Sequence, residues 1–250
     1  MSHIYTSQRA LTSDAQAISL LFALSWQSPF SRLQFGDVDP DALANAMTSR
    51  IARQIEENSM LFMVARDVRN GHVVSVAQWT VPASPATTPE HVQQPRERAQ
   101  TIQEEEDREE REAFEDEVYF NSLPSTSNRA LIMEFTRGLR NLRQRILQGQ
   151  PHFLLENLAT HPEHRGCGLA AKLISEVLDM ADERGVVTYL ETADDNKARG
   201  LYERLGFQER DKETIRDLSK FASTEDMERV GAGIEHTHVG FVRDPKQRKD

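Results

Sequence analysis

The sequence predicts an α/β fold: a mixed central sheet with helices on both faces and a helical-hairpin insert between its third and fourth strands. Three observations carry this. Strand-like and helix-like runs alternate through most of the 250 residues, the pattern of helices packed on a sheet. An Asn70-Gly71 pair separates SMLFMVARDV from HVVSVAQWTV and marks a hairpin, because both central residues of a type I′ turn need positive φ. Finally, FLLENLAT leads through HPEHRGCG into LAAKLISEVLDMADERG, a strand, a glycine loop and a helix in succession.

The elements follow in order. Residues 3–11 read as a first strand. Ser13 or Asp14 caps a helix with Ile18, Leu21, Phe22 and Trp26 on its apolar face. Asp39-Pro40 starts a second helix, with a capping carboxylate and proline in the first turn; Leu43, Met47, Ile51 and Ile55 keep its register to about Asn58. The hairpin strands, 59–68 and 72–81, come next. Residues 83–150 form a charged insert: a proline-rich connector, an acidic helix over about 96–118, a turn at 122–128 and a second helix. Leu131, Phe135, Leu139, Leu142 and Ile146 stripe that second helix, with Arg137, Arg140, Arg143 and Arg145 mostly off the stripe. The opposite charges of the two arms predict that they face each other.

The chain returns to the sheet with strand 153–160. The following helix is apolar at Leu169, Leu173, Ile174, Val177, Leu178 and Ala181, and Gly185 stops it. Strand 186–193, a helix over 196–205 and strand 206–215 follow. Residues 223–236 read as polar and irregular, and 236–250 as a last strand with a polar tail. The whole chain is expected to be a single domain.

Composition narrows the function. The net charge of −10 is concentrated: residues 103–117 hold ten Asp/Glu against two Arg. No basic stripe with interleaved aromatics appears, which argues against nucleic acid. The run ISLLFALSW is too short to span a bilayer, so no membrane partner is expected. The single cysteine, Cys167, leaves no intramolecular disulfide and reads as a small filler of the loop. With no leader visible, an intracellular, cytoplasmic protein is expected, a nuclear place being left open. The acidic run reads as a solvated face or flap, or alternatively as a surface for a cationic substrate.

The glycine loop carries the chemistry. Gly166 and Gly168 before a helix N-terminus let main-chain N–H groups close around a phosphate, with the helix dipole favouring the anion. A plain turn would explain two glycines as well. Arg165, Gly168 and Ala170, however, match an Arg/Gln-x-x-Gly-x-Gly/Ala pattern. Downstream, Asn196, Ala198, Tyr202, Gly206 and Phe207 follow a second pattern, with Ala198 one residue closer to the asparagine than its usual spacer. On these two motifs, in this order, residues 153–207 resemble the GNAT superfamily of acyl-CoA N-acetyltransferases.

The resemblance implies acetyl-CoA as co-substrate and no metal. It implies that the amides of Gly166, Cys167, Gly168, Leu169 and Ala170 hold the pyrophosphate, with Arg165 nearby. In the superfamily the strand before the loop splays from its neighbour to bind the pantetheine arm. That maps to Leu158, Ala159 and Thr160, with the Thr160 amide as oxyanion donor, while Asn196 corresponds to a polar contact on the arm. Tyr202 is placed to protonate the departing thiolate. Glu156 is the candidate base: side chains alternate along a strand, so 156, 158 and 160 are expected to share a face, and partial burial would raise its pKa. The alternative is a Glu156 standing in water. His161 reads as structural; His236 and His238 are alternative bases and lack metal-ligand spacing. The insert, lying by the acceptor side, favours a small-molecule primary amine acetylated by direct attack in a ternary complex. A protein or peptide acceptor (lysine or N-terminal) and a non-catalytic acyl-CoA-binding module are the alternatives. Homodimers are common in the superfamily, so one is allowed for here.

Overall fold

The computed structural model describes residues 4–37, 39–82, 116–117, 119–121 and 123–246. Among the described residues seven strands form one sheet in the order β1-β2-β3-β4-β5-β7-β6. These are β1 (Tyr5–Arg9), β2 (Leu61–Asp67), β3 (Val73–Thr80), β4 (His152–Thr160), β5 (Val187–Ala193), β6 (Gln208–Ile215) and β7 (His236–Arg243). Only β4 and β5 run parallel; every other neighbouring pair is antiparallel.

Helices α1 (Ala15–Ser25) and α3 (Pro40–Glu56) cover one face. Ile18, Phe22, Met47 and Ile51 meet Phe62, Val64, Val76 and Ala159 there. Asp39 caps α3 as expected, accepting the Ala42 amide at 3.1 Å. The opposite face carries α5 (Leu169–Arg184) and α6 (Arg199–Arg204). All six apolar residues expected on α5 are buried, against Trp79, Phe153, Leu190 and Phe241.

The insert's second helix is α4 (Arg129–Leu147), capped by Asn128, which accepts the Leu131 amide at 3.1 Å. It lies on the α1/α3 face, farther along the sheet, where Leu147 packs with Leu154, Val187, Tyr189 and Val242. Most of the expected acidic helix falls outside the described residues. Its end obeys the charge argument: Asp116 accepts from Arg137 at 2.8 Å and Arg140 at 2.7 Å.

Three expectations need correction. The β2–β3 connection is not a type I′ turn, since of Asn70 and Gly71 only Gly71 has positive φ (74°). The Gly71 amide reaches back to the Asp67 carbonyl at 2.8 Å, and the Asp67 carboxylate binds the Arg69 side chain and amide within the loop. That side chain–backbone network offers a longer turn an alternative to the tight one. Residues 223–236 are not irregular throughout, because α7 (Thr224–Val230) forms, with Ser223 accepting the Asp226 amide at 3.1 Å. A further short helix, α2 (Pro29–Phe35), was not expected. Ser28 caps it, and Phe30 and Leu33 bury with Leu131, Met227 and Val230. Both helices are held by burial of one or two anchors rather than by a long periodic stripe.

Candidate active site

A gap in the sheet organises the site. β4 pairs with β5 from His152↔Val187 to Leu155↔Leu190 and no farther. Beyond that point β4 stays with β3 as far as Thr160↔Ser75, and β5 stays with β7 as far as Ala193↔His238. The divergence begins at a β-bulge: Trp79 pairs with Leu155, and the next β3 residue, Gln78, pairs with Asn157, leaving Glu156 as the extra residue. A bulge bends its strand and locally increases the twist.

The bulge corrects the expected facing of Glu156. Leu155 and Leu158 both pack toward the α5-side core, which strict alternation across three residues would forbid. Glu156 therefore does not share a face with Leu158 and Thr160. It is exposed rather than partly buried, and its Oε1 accepts the Thr80 hydroxyl at 2.8 Å. Past the bulge alternation resumes. The His161 amide donates to the Val74 carbonyl on β3 at 2.9 Å. The main-chain groups of Thr160 and Leu158 accordingly point the other way, into the gap. Ala159 is buried on the α1/α3 face, and the Thr160 hydroxyl is held by Ser75 at 2.8 Å.

The loop after β4 supplies the second half. Gly166 and Gly168 both sit at φ 76°, and a Cβ at either would meet nothing within 4 Å. Glycine is required there by the backbone angle, not by crowding. Helix α5 has no side-chain cap and no acidic residue in its first turn. Among the described hydrogen bonds, none starts from the amides of residues 166–171; the first satisfied amide is that of Lys172, donating to the Gly168 carbonyl at 3.0 Å. This row of unpaired donors at the positive end of a 16-residue helix fits an anion such as a diphosphate. Arg165 Nε donates to the Thr160 carbonyl at 3.2 Å, tying the loop to the end of β4. Cys167 is exposed; Leu169 is buried and anchors the helix start, with Ala170 half-buried beside it. Tyr5 on β1 bonds His164 Nδ1 at 3.0 Å and braces the loop from the far strand.

Tyr202 lies in α6 on the α5 side. It is buried among Phe207 and Phe241 and makes no hydrogen bond to a described residue. Burial pushes its phenol up to about 12. Asn196 already serves its own loop, donating to Thr192 Oγ1 at 2.7 Å and accepting the Ala198 amide at 2.9 Å.

On the α4 face of the gap stand residues the sequence reading missed. The side chain of Glu191 on β5 is largely covered, and both its oxygens bind Arg143 of α4, at 3.2 and 3.0 Å. Burial raises the Glu191 pKa and the Arg143 guanidinium opposes that rise. Opposite Glu191 on β7 is Gly240. A Cβ there would overlap Ile146 Cδ1 of α4 and approach Tyr189 Oη to 2.9 Å, so the helix rests directly on the strand. A glutamate inside VVTYLETA and a glycine inside HTHVGFVRD were visible in the sequence, yet only packing tells what they face. His161, Glu163 and His164 also bring one ligand atom each within 4.8 Å of one another, a grouping within one turn whose spacing differs from His-Glu-x-x-His.

A strand parting from its parallel neighbour above an uncapped, glycine-opened helix leaves free main-chain groups along the gap and at the helix start, an arrangement able to hold a phosphorylated ligand. Residues 24–207 match the model of the Acetyltransferase (GNAT) family, and the chain belongs to that family. Over 58 residues it is 41% identical to a [ribosomal protein bS18]-alanine N-acetyltransferase of Haemophilus influenzae, a match covering 23% of this chain and 40% of that relative. An agmatine N-acetyltransferase structure aligns with a TM-score of 0.58 at 13% identity, covering 96% of this chain and 99% of that one. Arylalkylamine N-acetyltransferase 2 from Aedes aegypti aligns at 0.58 and 11%, covering 97% and 99%. At these identities the two structures speak to the fold. None of the described helices is long and apolar enough to cross a membrane.

Proposed function

We propose that this chain transfers an acetyl group from acetyl-CoA to a primary amine of a small molecule, by direct attack in a ternary complex. The observation that carries the reading is the parting of β4 from β5 after Leu155↔Leu190, directly before the uncapped amides of residues 166–171. Those amides, with Arg165, take the pyrophosphate. The gap-facing main chain of Leu158 and Thr160, with Ala159 held against β3 between them, takes the pantetheine arm, and the Thr160 amide faces the thioester oxygen as charge develops on it. Asn196 contributes to the arm through the loop it holds in place.

Tyr202 serves as general acid. A phenol at about 12 stays protonated at any working pH and is ready to donate to the sulfur. The same burial disfavours a bare thiolate, which offsets the phenol's weakened acidity. Glu156, exposed beside Thr80, attracts the acceptor's ammonium and takes its first proton. The preference for a small acceptor rests on α4, whose Arg143–Glu191 pair and contact with Gly240 cover the face on which an extended peptide would lie. The local identity to a ribosomal-protein acetyltransferase favours a second reading, a protein N-terminus as acceptor.

The deciding experiment follows CoA release from acetyl-CoA with a panel of polyamines, arylalkylamines and amino acids set against lysine-bearing and N-terminal peptides. Turnover confined to peptides would refute the small-molecule reading. CoA binding without turnover of any acceptor would leave an acyl-CoA-binding module.

A further inference from the structure

On the α4-covered face of β7, His236 and His238 are joined by a hydrogen bond, Nε2 to Nδ1, of 2.9 Å. Phe30 of α2 stacks on His236 with centroids 3.6 Å apart, and Phe135 of α4 meets His238 edge-on at 4.7 Å. Neither ring makes another hydrogen bond to a described residue, so each keeps one nitrogen unengaged. Burial depresses both, His236 to about 4 and His238 to about 3, so both are neutral imidazoles at pH 7.

Their position connects two spaces. His238 is the cross-strand partner of Ala193, at the end of β5 where β4 has already diverged. Cross-strand partners share a face, so the side chain that β5 sets beside His238 on the way to the gap is the Ala193 methyl, one strand spacing of about 4.8 Å from β7. On its other side the pair lines a cavity of about 230 Å³ between α4 and β6. The charged groups around it are few. On α4, Glu134 is exposed and Arg137 is paired with Asp116. On β6, Glu213 is paired with Arg145, and Asp195 acts on His236 from the loop after β5. From α2 the ring that meets the pair is the uncharged Phe30. The two phenyl rings pack against the imidazoles, and the linked imidazoles offer a hydrogen-bonded path for protons.

Acetylation of an ammonium substrate removes two protons from nitrogen. One leaves before the C–N bond forms and one after it, while the C–S bond breaks and sulfur gains a proton from Tyr202. Tyr202 is reprotonated from solvent, so each turnover releases one proton net. Glu156 accounts for the first proton only. We infer that His238 receives the second and passes it through His236 to solvent by way of the cavity between α4 and β6. This rests on the acetyl-transfer reading. Because the imidazolium is disfavoured at both rings, the hand-over is concerted, His238 gaining a proton at one nitrogen as it loses one at the other. His236 acts through His238 and is a positioning residue.

The test compares methylamine, protonated at pH 7, with hydroxylamine, neutral at pH 7, as acceptors for the full chain. Glu156→Gln should lose turnover by a larger factor with methylamine than with hydroxylamine, since only the former brings a first proton. His238→Phe should lose about 10²-fold in kcat with both, the scale of one proton-transfer catalyst, with KM for acetyl-CoA unchanged. Should His238→Phe fail to fold, nitrogen NMR of the parent protein decides: two neutral rings sharing one proton are expected from pH 7 to pH 5, and titration near 6.5 overturns the relay. Parent-like turnover in His238→Phe, or a defect confined to methylamine, also overturns it. A parent protein that binds CoA yet acetylates neither amine nor any acceptor of the panel above removes the transfer reading itself, a result distinct from either.

Discussion

Gly240 is where the insert meets the sheet, and replacing it by alanine tests whether α4 is seated as described. The added methyl would collide with Ile146 Cδ1 and come within 2.9 Å of Tyr189 Oη and 3.3 Å of Tyr189 Cε2. The Gly240 backbone lies outside the positive-φ region, so the cost is packing and not conformation. Overpacking of this kind destabilises by roughly 1–3 kcal/mol. For a chain of this size that corresponds to about 2–4 °C in Tm per kcal/mol. Ile146→Val removes the colliding Cδ1 and alone costs about 0.5–1.5 kcal/mol. Together the two changes should cost less than their sum by roughly 0.5 kcal/mol or more, because the cavity of one accepts the methyl of the other. The residual strain belongs to Tyr189, which neither change relieves. Urea unfolding of the parent, both single variants and the double variant, at constant m-value, measures this directly. CoA affinity should stay at the parent level, since α5 lies on the opposite face. Strict additivity, or a Gly240→Ala variant as stable as the parent, would show that α4 does not rest on β7.

Tyr202→Phe should lower kcat by about 10²- to 10⁴-fold with little change in CoA affinity, and parent-like turnover removes it as the acid. Gly168→Ala forces a side chain into the left-handed region at a cost of about 1–2 kcal/mol and should weaken CoA binding by calorimetry; unchanged heats would mean the loop does not grip the diphosphate. Arg143→Leu leaves the buried Glu191 carboxylate unpaired, a loss of about 3–5 kcal/mol when it is ionised. Its folded pKa, already raised, rises further without the guanidinium, so the folded state binds more protons than the unfolded one. Stability contributed by the protonated form is full below the unfolded pKa and is lost as pH rises through the folded one. The deficit against the parent should therefore be larger at pH 7.5 than at pH 5, and a pH-independent deficit in urea midpoints would contradict the buried-carboxylate account.

Local physics was legible in the sequence. The six-residue apolar stripe of α5, the Asp39 cap, the Leu131–Leu142 stripe of α4 and the positive-φ glycines before α5 are all set by near neighbours in the chain. The Asp116–Arg137 and Asp116–Arg140 contacts also follow from opposite charges on adjacent arms. The β2–β3 turn was misjudged because Asp67 and Arg69 compete for backbone groups that a two-residue turn would have used. The helix at 224–230 was missed because seven residues give periodicity too little length to show.

What no stretch of sequence contained is the relation between strands. The bulge at Glu156 exists only because β3 pairs on both sides of it, and that single extra residue turns the glutamate to the opposite face from Leu158 and Thr160. Glu191 with Arg143, His238 opposite Ala193 and Gly240 beneath Ile146 are likewise contacts between segments far apart in the chain. Their chemistry comes from burial and register, which are properties of the assembled sheet. The sequence by itself determined which helix would start behind positive-φ glycines with no side-chain cap. The tertiary structure decided which carboxylate stands in water, which is locked to an arginine, and which imidazoles are held neutral beside the gap.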